Sequence, residues 1–166
     1  MSRELTKEQQ DWIEQWLELW GAWVYSGRLE KRMSSMIAQW MESVEPSGYP
    51  TRPMCNDDDG MLISQVVDSV LKVDPTTLGI LMAYYVTNKS KRAIAAYYYR
   101  SAKPRKISKG RLGEGWRRPS EETLRKEVSE RLKASQYMIF FPLENAMKMR
   151  KMKPKVKHIQ ENCLTW

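Results

Sequence analysis

Apolar residues in this chain recur three and four positions apart, in runs that stop and restart at capping signals, and that pattern limits it to a helical architecture. Thr6 followed by Gln9 reads as a capping box, after which Ile13, Trp16, Leu17, Trp20, Trp23 and Val24 hold helical spacing until Gly27. Tryptophans so spaced are more often core than a partner-binding stripe. A shorter helix over 34–44 is closed by Glu45-Pro46-Ser47-Gly48-Tyr49-Pro50, and a loop runs to Asn56. Asp57, Asp58 and Asp59 then start a third helix with Leu62, Val66, Val67, Val70 and Leu71 on its apolar side, where acids suit the positive end of the helix dipole and read as caps. Asp74-Pro75 opens a fourth helix through Leu78, Leu81 and Tyr85, which Asn88 and Lys89 break. Ser90 caps a fifth, running to Tyr99, whose Ala93, Ala95 and Ala96 permit close approach of a neighbour.

Residues 100–118 differ. Arg100, Lys103, Arg105, Lys106, Lys109, Arg111, Arg117 and Arg118 face a single acid, Glu114, while Pro104, Gly110, Gly113 and Gly115 argue for a basic loop without regular structure. A long helix resumes at Pro119-Ser120, with Leu124, Val128 and Leu132 on one side, until Pro142 interrupts it; a last helix and a basic tail follow. The expected fold class is all-α. A chain of 166 residues suits one compact helical domain, over 1–141, with the C-terminal helix and tail at 142–166.

Charge is segregated along the chain. Residues 1–60 carry 6 Lys/Arg against 11 Asp/Glu, and residues 61–166 carry 22 against 9, so a polyanion would meet the C-terminal part and leave an acidic, Trp-rich part for core or protein contacts. Cys55, Cys163 and the sole histidine, His158, suffice for neither a disulfide framework nor a Cys/His zinc site, and suit a reducing compartment. The start of the chain lacks the apolar core of a signal peptide, and no run of some 18 apolar residues occurs, so the expected location is cytosolic, away from membranes.

The sharpest local pattern is a helix-turn-helix at about 75–135, made by the Ser90 helix and the later helix that opens at Ser120. In such a motif one helix lies along the duplex backbone and the next inserts its first residues into the major groove. The candidate DNA contacts are therefore Ser90, Lys91 and Arg92, with Arg117, Arg118, Ser120, Glu121, Glu122, Thr123, Arg125 and Lys126. The usual join is three or four residues, whereas about nineteen intervene here, and two ordinary core helices remain an alternative. Within that insertion Arg100, Lys103, Arg105, Lys106, Lys109 and Arg111 are candidate contacts to DNA phosphates or RNA; solvated charge is the bland alternative. Lys148 to His158, with six Lys/Arg and no acid, is a second basic run. Asp57-Asp58-Asp59-Gly60 does not make a calcium loop, because Val66 stands where the bidentate Glu belongs, and a Mg²⁺ nuclease would need partner acids that nothing marks. No metal, cofactor or catalytic residue is expected.

Four segments taken together, Trp20-Gly21-Ala22-Trp23, Ser34-Ser35-Met36-Ile37-Ala38, Thr51-Arg52-Pro53-Met54-Cys55-Asn56-Asp57-Asp58-Asp59-Gly60-Met61-Leu62-Ile63 and Ser90-Lys91-Arg92-Ala93-Ile94-Ala95, strongly resemble the phage 21 class of Q antiterminators in order and spacing, over roughly residues 1–135. The resemblance implies a helix-turn-helix of the sigma region 4 kind, mapping onto Ser90 to Tyr99 and Ser120 to Arg131, with the long insertion a departure from commoner short-turned members. It further implies a non-enzymatic protein that binds double-stranded DNA beside a phage late promoter and joins bacterial RNA polymerase holoenzyme paused with sigma attached. Acting at the RNA exit channel, close to nascent RNA, it would carry transcription through pauses and terminators into late genes, in the cytoplasm of the bacterial host. The acidic N-terminal half would supply polymerase or protomer contacts, a second protomer on DNA being one such partner. Lambda-type proteins of the same name carry zinc-binding cysteines that this chain lacks. Two other classes remain open: a promoter-binding repressor or activator with no role in elongation, and a nuclease or resolvase built on Asp57 to Asp59.

Overall fold

The computed structural model describes residues 4–27, 36–41, 52–107 and 115–152. Helix α1 (Lys7–Tyr25) begins at the expected capping box: the Thr6 hydroxyl accepts the Gln9 amide at 3.3 Å, and the Gln9 side chain accepts the Thr6 amide at 3.0 Å. It ends at Gly27, whose φ of 80° is one that a side chain disfavours. Trp20 and Trp23 are fully buried with Ile13, Leu17 and Val24, so the core reading holds for them, while Trp12 and Trp16 lie half-buried at the edge. Helix α2 (Met36–Met41) inserts Ile37 into the core, and its first amide donates to Asp68 at 3.0 Å; the flanks of the helix expected over 34–44 fall outside the described residues.

Helix α3 (Asp57–Leu71) corrects the capping expectation by one residue. Asn56 is the cap, accepting the Asp59 amide at 2.8 Å, and the three aspartates occupy the first turn. Asp57 accepts the Trp23 indole N–H at 2.9 Å, and Asp59 pairs with Arg150. Both carboxylates are therefore spent on tertiary contacts, and among the described residues no group of three acidic, Cys or His side chains is placed to hold a metal.

Helix α4 (Pro75–Tyr85) is the axis of the fold. It is apolar nearly all round, burying Leu78, Ile80, Leu81, Met82 and Tyr85, and it touches each of the other five helices. Pro75 sits at its start, and Asp74 caps it by accepting the Thr77 amide at 3.1 Å and hydroxyl at 2.5 Å. Those two Thr77 bonds first, and the nearby Arg131 after them, hold the Asp74 carboxyl below its usual value. Asp74→Ala is expected to lower unfolding stability by about 1 kcal/mol at neutral pH. A depressed native pKa means that the contribution is complete above the unfolded carboxylate value and is lost as pH falls through the native one. Denaturation curves of the two proteins should consequently converge in acid; a gap that persisted there would assign the loss to something other than the charged cap.

Small residues set the closest approaches. A Cβ on Gly21 would lie 2.1 Å from the Tyr85 carbonyl oxygen, and one on Gly60 would lie 2.3 Å from the Trp23 indole, so glycine is what lets α1 meet α4 and α3 at these distances. A largely buried polar knot ties three helices together: Tyr85 donates to Glu14 at 2.7 Å, and the Gln136 amide donates to Glu14 at 2.7 Å and to the Tyr85 oxygen at 2.6 Å. Burial, then the Glu14 charge, pushes the Tyr85 phenol far up, so it stays a neutral donor. Arg52 donates to the carbonyls of Tyr85 and Val86 at 3.0 and 2.7 Å, satisfying the C-terminus of α4. Cys55 is buried, and desolvation followed by the charges of Asp59 and Asp57 raises its thiol to about 11, which makes it a poor nucleophile at neutral pH.

Helix α5 (Lys91–Ser101) starts at Ser90, whose hydroxyl accepts the Ala93 amide at 3.1 Å. Ala95 is buried as expected, but Ala93 faces solvent. The segment after it is not wholly irregular: β1 (Arg105–Ile107) and β2 (Gly115–Arg117) form an antiparallel ladder with Lys106 opposite Trp116 and Arg105 opposite Arg117. Pro104 precedes the ladder, where its missing N–H costs nothing, and Gly115 opens the second strand.

Helix α6 (Glu121–Met152) runs unbroken for 32 residues, roughly 48 Å at 1.5 Å per residue, and corrects the interruption expected at Pro142. Pro142 and Met138, whose carbonyl loses its partner, both lie on the exposed side, so water can satisfy the orphan acceptor. Ile139, Phe140, Leu143 and Met147 on the opposite side stay in the core and hold the helix in line. The fold is thus the all-α architecture expected, with a two-stranded hairpin stem added. No helix among the described residues is long and apolar enough to cross a membrane.

Candidate nucleic-acid interface

Two helices and the hairpin bring the candidate residues together. Helix α5 packs on the N-terminal half of α6 through Ile94, Ala95, Leu124 and Val128, all buried, which leaves the first turns of both helices side by side. A shallow cleft between them is lined by Arg92 and Ala95 from α5 and by Glu121, Glu122 and Arg125 from α6. The hairpin stem is fastened to the same helices. Arg105 pairs with Glu127 of α6, its second contact at 3.2 Å, while Arg118 lies 4.0 Å over the Tyr99 ring and donates to the Tyr99 carbonyl.

These contacts divide the candidates by what their side chains already do. Ser90 and Ser120 are exposed but spent as caps, Ser120 accepting the Thr123 amide at 3.2 Å and meeting its hydroxyl at 2.9 Å. They orient the two helices. Lys91 is half-buried, 3.4 Å from the Ser129 hydroxyl and 6.0 Å over the Tyr84 ring, and so faces inward. Lys126 lies 3.9 Å from Glu122 along the exposed side of α6, an arrangement that leaves both charges in water. Arg92, Arg100, Lys103, Lys106, Arg117 and Arg125 are exposed with no ion-pair partner among the described residues. Lys109 and Arg111 fall outside the described residues.

Within this frame the exposed cations of α5, the hairpin and the first turns of α6 make a basic surface. Its electrostatics suit an extended polyanion: several unneutralised guanidinium and ammonium groups project from rigid elements, and the acids on it, Glu121 and Glu122, cluster in the α6 first turn, where the helix dipole favours them. A model of the family described as phage antitermination protein Q matches residues 10–134, about three quarters of the chain.

The chain belongs to that family.

Among curated relatives of this Q-family chain, the probable antitermination protein Q of Acyrthosiphon pisum secondary endosymbiont phage 1 is 38% identical over 84 residues, which is 50% of this chain and 56% of the relative. The antitermination protein Q of Escherichia phage 933W is 32% identical over 83 residues, 50% of this chain and 57% of that protein. The chain thus spans little more than half the length of these relatives. Solved structures match far more of it. The bacteriophage 21 Q protein is 59% identical with a TM-score of 0.81, covering 89% of this chain and 98% of that one. Transcription antitermination factor Q21 in complex with Q21-binding-element DNA is 61% identical with a TM-score of 0.83, covering 89% and 97%.

The Q-family chain also shows site features that the sequence did not mark. Trp116 is 73% exposed on the hairpin and Tyr97 is 66% exposed on α5, both within the basic surface. Trp116 is a single aromatic inside a charge run, without periodicity, and only the strand register reveals where it stands; Tyr97 opens a run of three tyrosines whose order does not say which one is exposed. Glu127 and Tyr99 hold Arg105 and Arg118 from 22 and 19 residues away in sequence, a distance at which no local motif announces a pair.

Proposed function

We propose that this protein is a phage late-gene antitermination factor. It binds double-stranded DNA beside a late promoter, engages the sigma-containing paused RNA polymerase of its bacterial host in the cytoplasm, and alters the RNA exit channel so that terminators are read through. It acts by binding, with no cofactor and no catalysis. The observation that carries the reading is the unneutralised basic surface on α5, the hairpin and the start of α6, in a chain 61% identical to an antitermination factor solved with its DNA element. The packing of α5 against α6 supports a helix-turn-helix use in which α5 lies along the duplex backbone. The exposed Glu121, Glu122, Thr123, Arg125 and Lys126 of α6, with Arg92 beside them, then meet the major groove, and the cations of residues 100–118 neutralise phosphates. Polymerase or a second protomer is met by the acidic surface of α1, where Glu8, Asp11 and Glu18 are exposed, with Glu4 just before it; Trp20 and Trp23 are core and do not form that surface.

Single-round transcription with bacterial RNA polymerase, on a template carrying a late promoter, its adjacent element and a terminator, tests the proposal. Added protein is expected to raise the fraction of full-length transcript several-fold, and deletion of the element is expected to abolish the gain. Tight element binding with unchanged termination would favour a simple promoter-binding repressor or activator instead.

A further inference from the structure

Side chains alternate across a strand, so Arg105 and Arg117 share one face of the hairpin, and Lys106 and Trp116 share the other. The Arg105 face is held to α6 through Glu127, which turns the Lys106–Trp116 face away from the helices. The indole there is 73% exposed and, among the described residues, makes no ring or cation contact, although Tyr99 of the same region is covered by Arg118. An uncovered indole of this size is costly to leave in water and has a flat face to offer. The neighbouring described side chains of the hairpin, Arg105, Lys106, Arg117 and Arg118, are all cationic.

We propose that Trp116 is a stacking platform for an unpaired base of single-stranded RNA, with Lys106 on the same face neutralising a flanking phosphate. A duplex offers no free base face along its length, whereas an unpaired strand offers one at every nucleotide, and a flat ring set among cations is complementary to a base joined to its phosphates. The inference rests on the proposed function, in which the transcript emerges beside this protein. It assigns to the Trp116 indole a base of the transcript, a ligand separate from the duplex whose phosphates the hairpin cations also meet.

The test uses the full chain and four labelled probes: a short oligouridine, an oligothymidine of the same length, the oligouridine backbone with abasic sites, and the duplex DNA element. Base stacking on an aromatic contributes about 1–3 kcal/mol, so Trp116→Ala is expected to weaken oligouridine binding roughly 10-fold. Trp116→Tyr should retain most of the affinity, the abasic strand should bind wild type and Trp116→Ala alike, and duplex binding should be unchanged. Equal oligouridine affinity for wild type and Trp116→Ala would overturn the proposal, as would a matching loss on the duplex or the abasic strand. A loss confined to oligothymidine would overturn the assignment to RNA. Because Trp116 is exposed, the alanine variant is expected to fold; and if Lys106→Gln with Arg117→Gln weakens duplex binding while Trp116→Ala changes nothing, the stacking inference fails and the DNA-binding function stands.

Discussion

Trp23→Ala is expected to destabilise the fold by about 3–5 kcal/mol, the usual cost of emptying a fully buried large aromatic site. Trp23 is completely buried, walls the Gly60 position of α3, and anchors the first turn of that helix by donating to Asp57 at 2.9 Å. Truncation therefore removes packing and leaves a buried cavity at the α1–α3 contact. Gly60→Ala attacks the same contact from the other side. Its new methyl group would lie 2.3 Å from the indole, and both groups sit on helices that cannot yield independently, so a loss of about 1–3 kcal/mol is expected. The two changes are coupled. In a Trp23→Ala background the wall is gone, and Gly60→Ala should cost little or even stabilise through its better helix propensity. Urea unfolding of the four proteins in the cycle measures this directly, and an unchanged cost of Gly60→Ala in both backgrounds would place the clash elsewhere.

The second large effect concerns DNA. Replacing Arg92, Arg100, Lys106 and Arg117 together by Gln is expected to lower affinity for a duplex binding element on the order of 100-fold at physiological salt, through lost counterion release. These four are exposed and unpaired among the described residues, so the melting temperature should stay close to that of the wild type. Replacing Lys91 and Arg105 should produce the opposite profile. Lys91 is directed at Ser129 and Tyr84, and Arg105 is engaged by Glu127, so their loss should disturb the seating of α5 and the hairpin more than it removes phosphate contacts. Comparing the two variants by melting and by filter binding separates cations that meet a ligand from cations that hold the surface together.

Much of the fold was legible because its signals are local. The Thr6 capping box, the Asp74-Pro75 start, the Ser90 cap and the three-and-four spacing of Ile13, Leu17, Trp20, Trp23 and Val24 each place an element from within one or two turns of chain. The misreadings share the opposite character. Pro142 reads as a break, since the residue alone removes a hydrogen bond, and only the packing of Ile139, Phe140, Leu143 and Met147 keeps α6 continuous. The hairpin stem was hidden by the glycines and proline around it, because three-residue strands give too short an alternation to detect. Three aspartates at the start of α3 mask the Asn56 cap, since acids there carry the stronger dipole signal, yet the side chain that reaches the Asp59 amide is the one a residue earlier. For the site, charge identified the basic region and its candidate cations. It could not distinguish Arg92 or Arg117 from Lys91, Arg105 or Arg118, whose partners come from distant segments.

The most direct test of the interface is the salt dependence of binding to the duplex element, measured from about 50 to 300 mM monovalent salt for the wild type and for the variant with Arg92, Arg100, Lys106 and Arg117 replaced by Gln. If these side chains meet DNA phosphates, the wild-type plot of log K against log salt should be steep, and the variant's slope should be shallower by roughly 3 to 4. Identical slopes for the two proteins would contradict the account, and would move the DNA-binding surface away from α5, the hairpin and the start of α6.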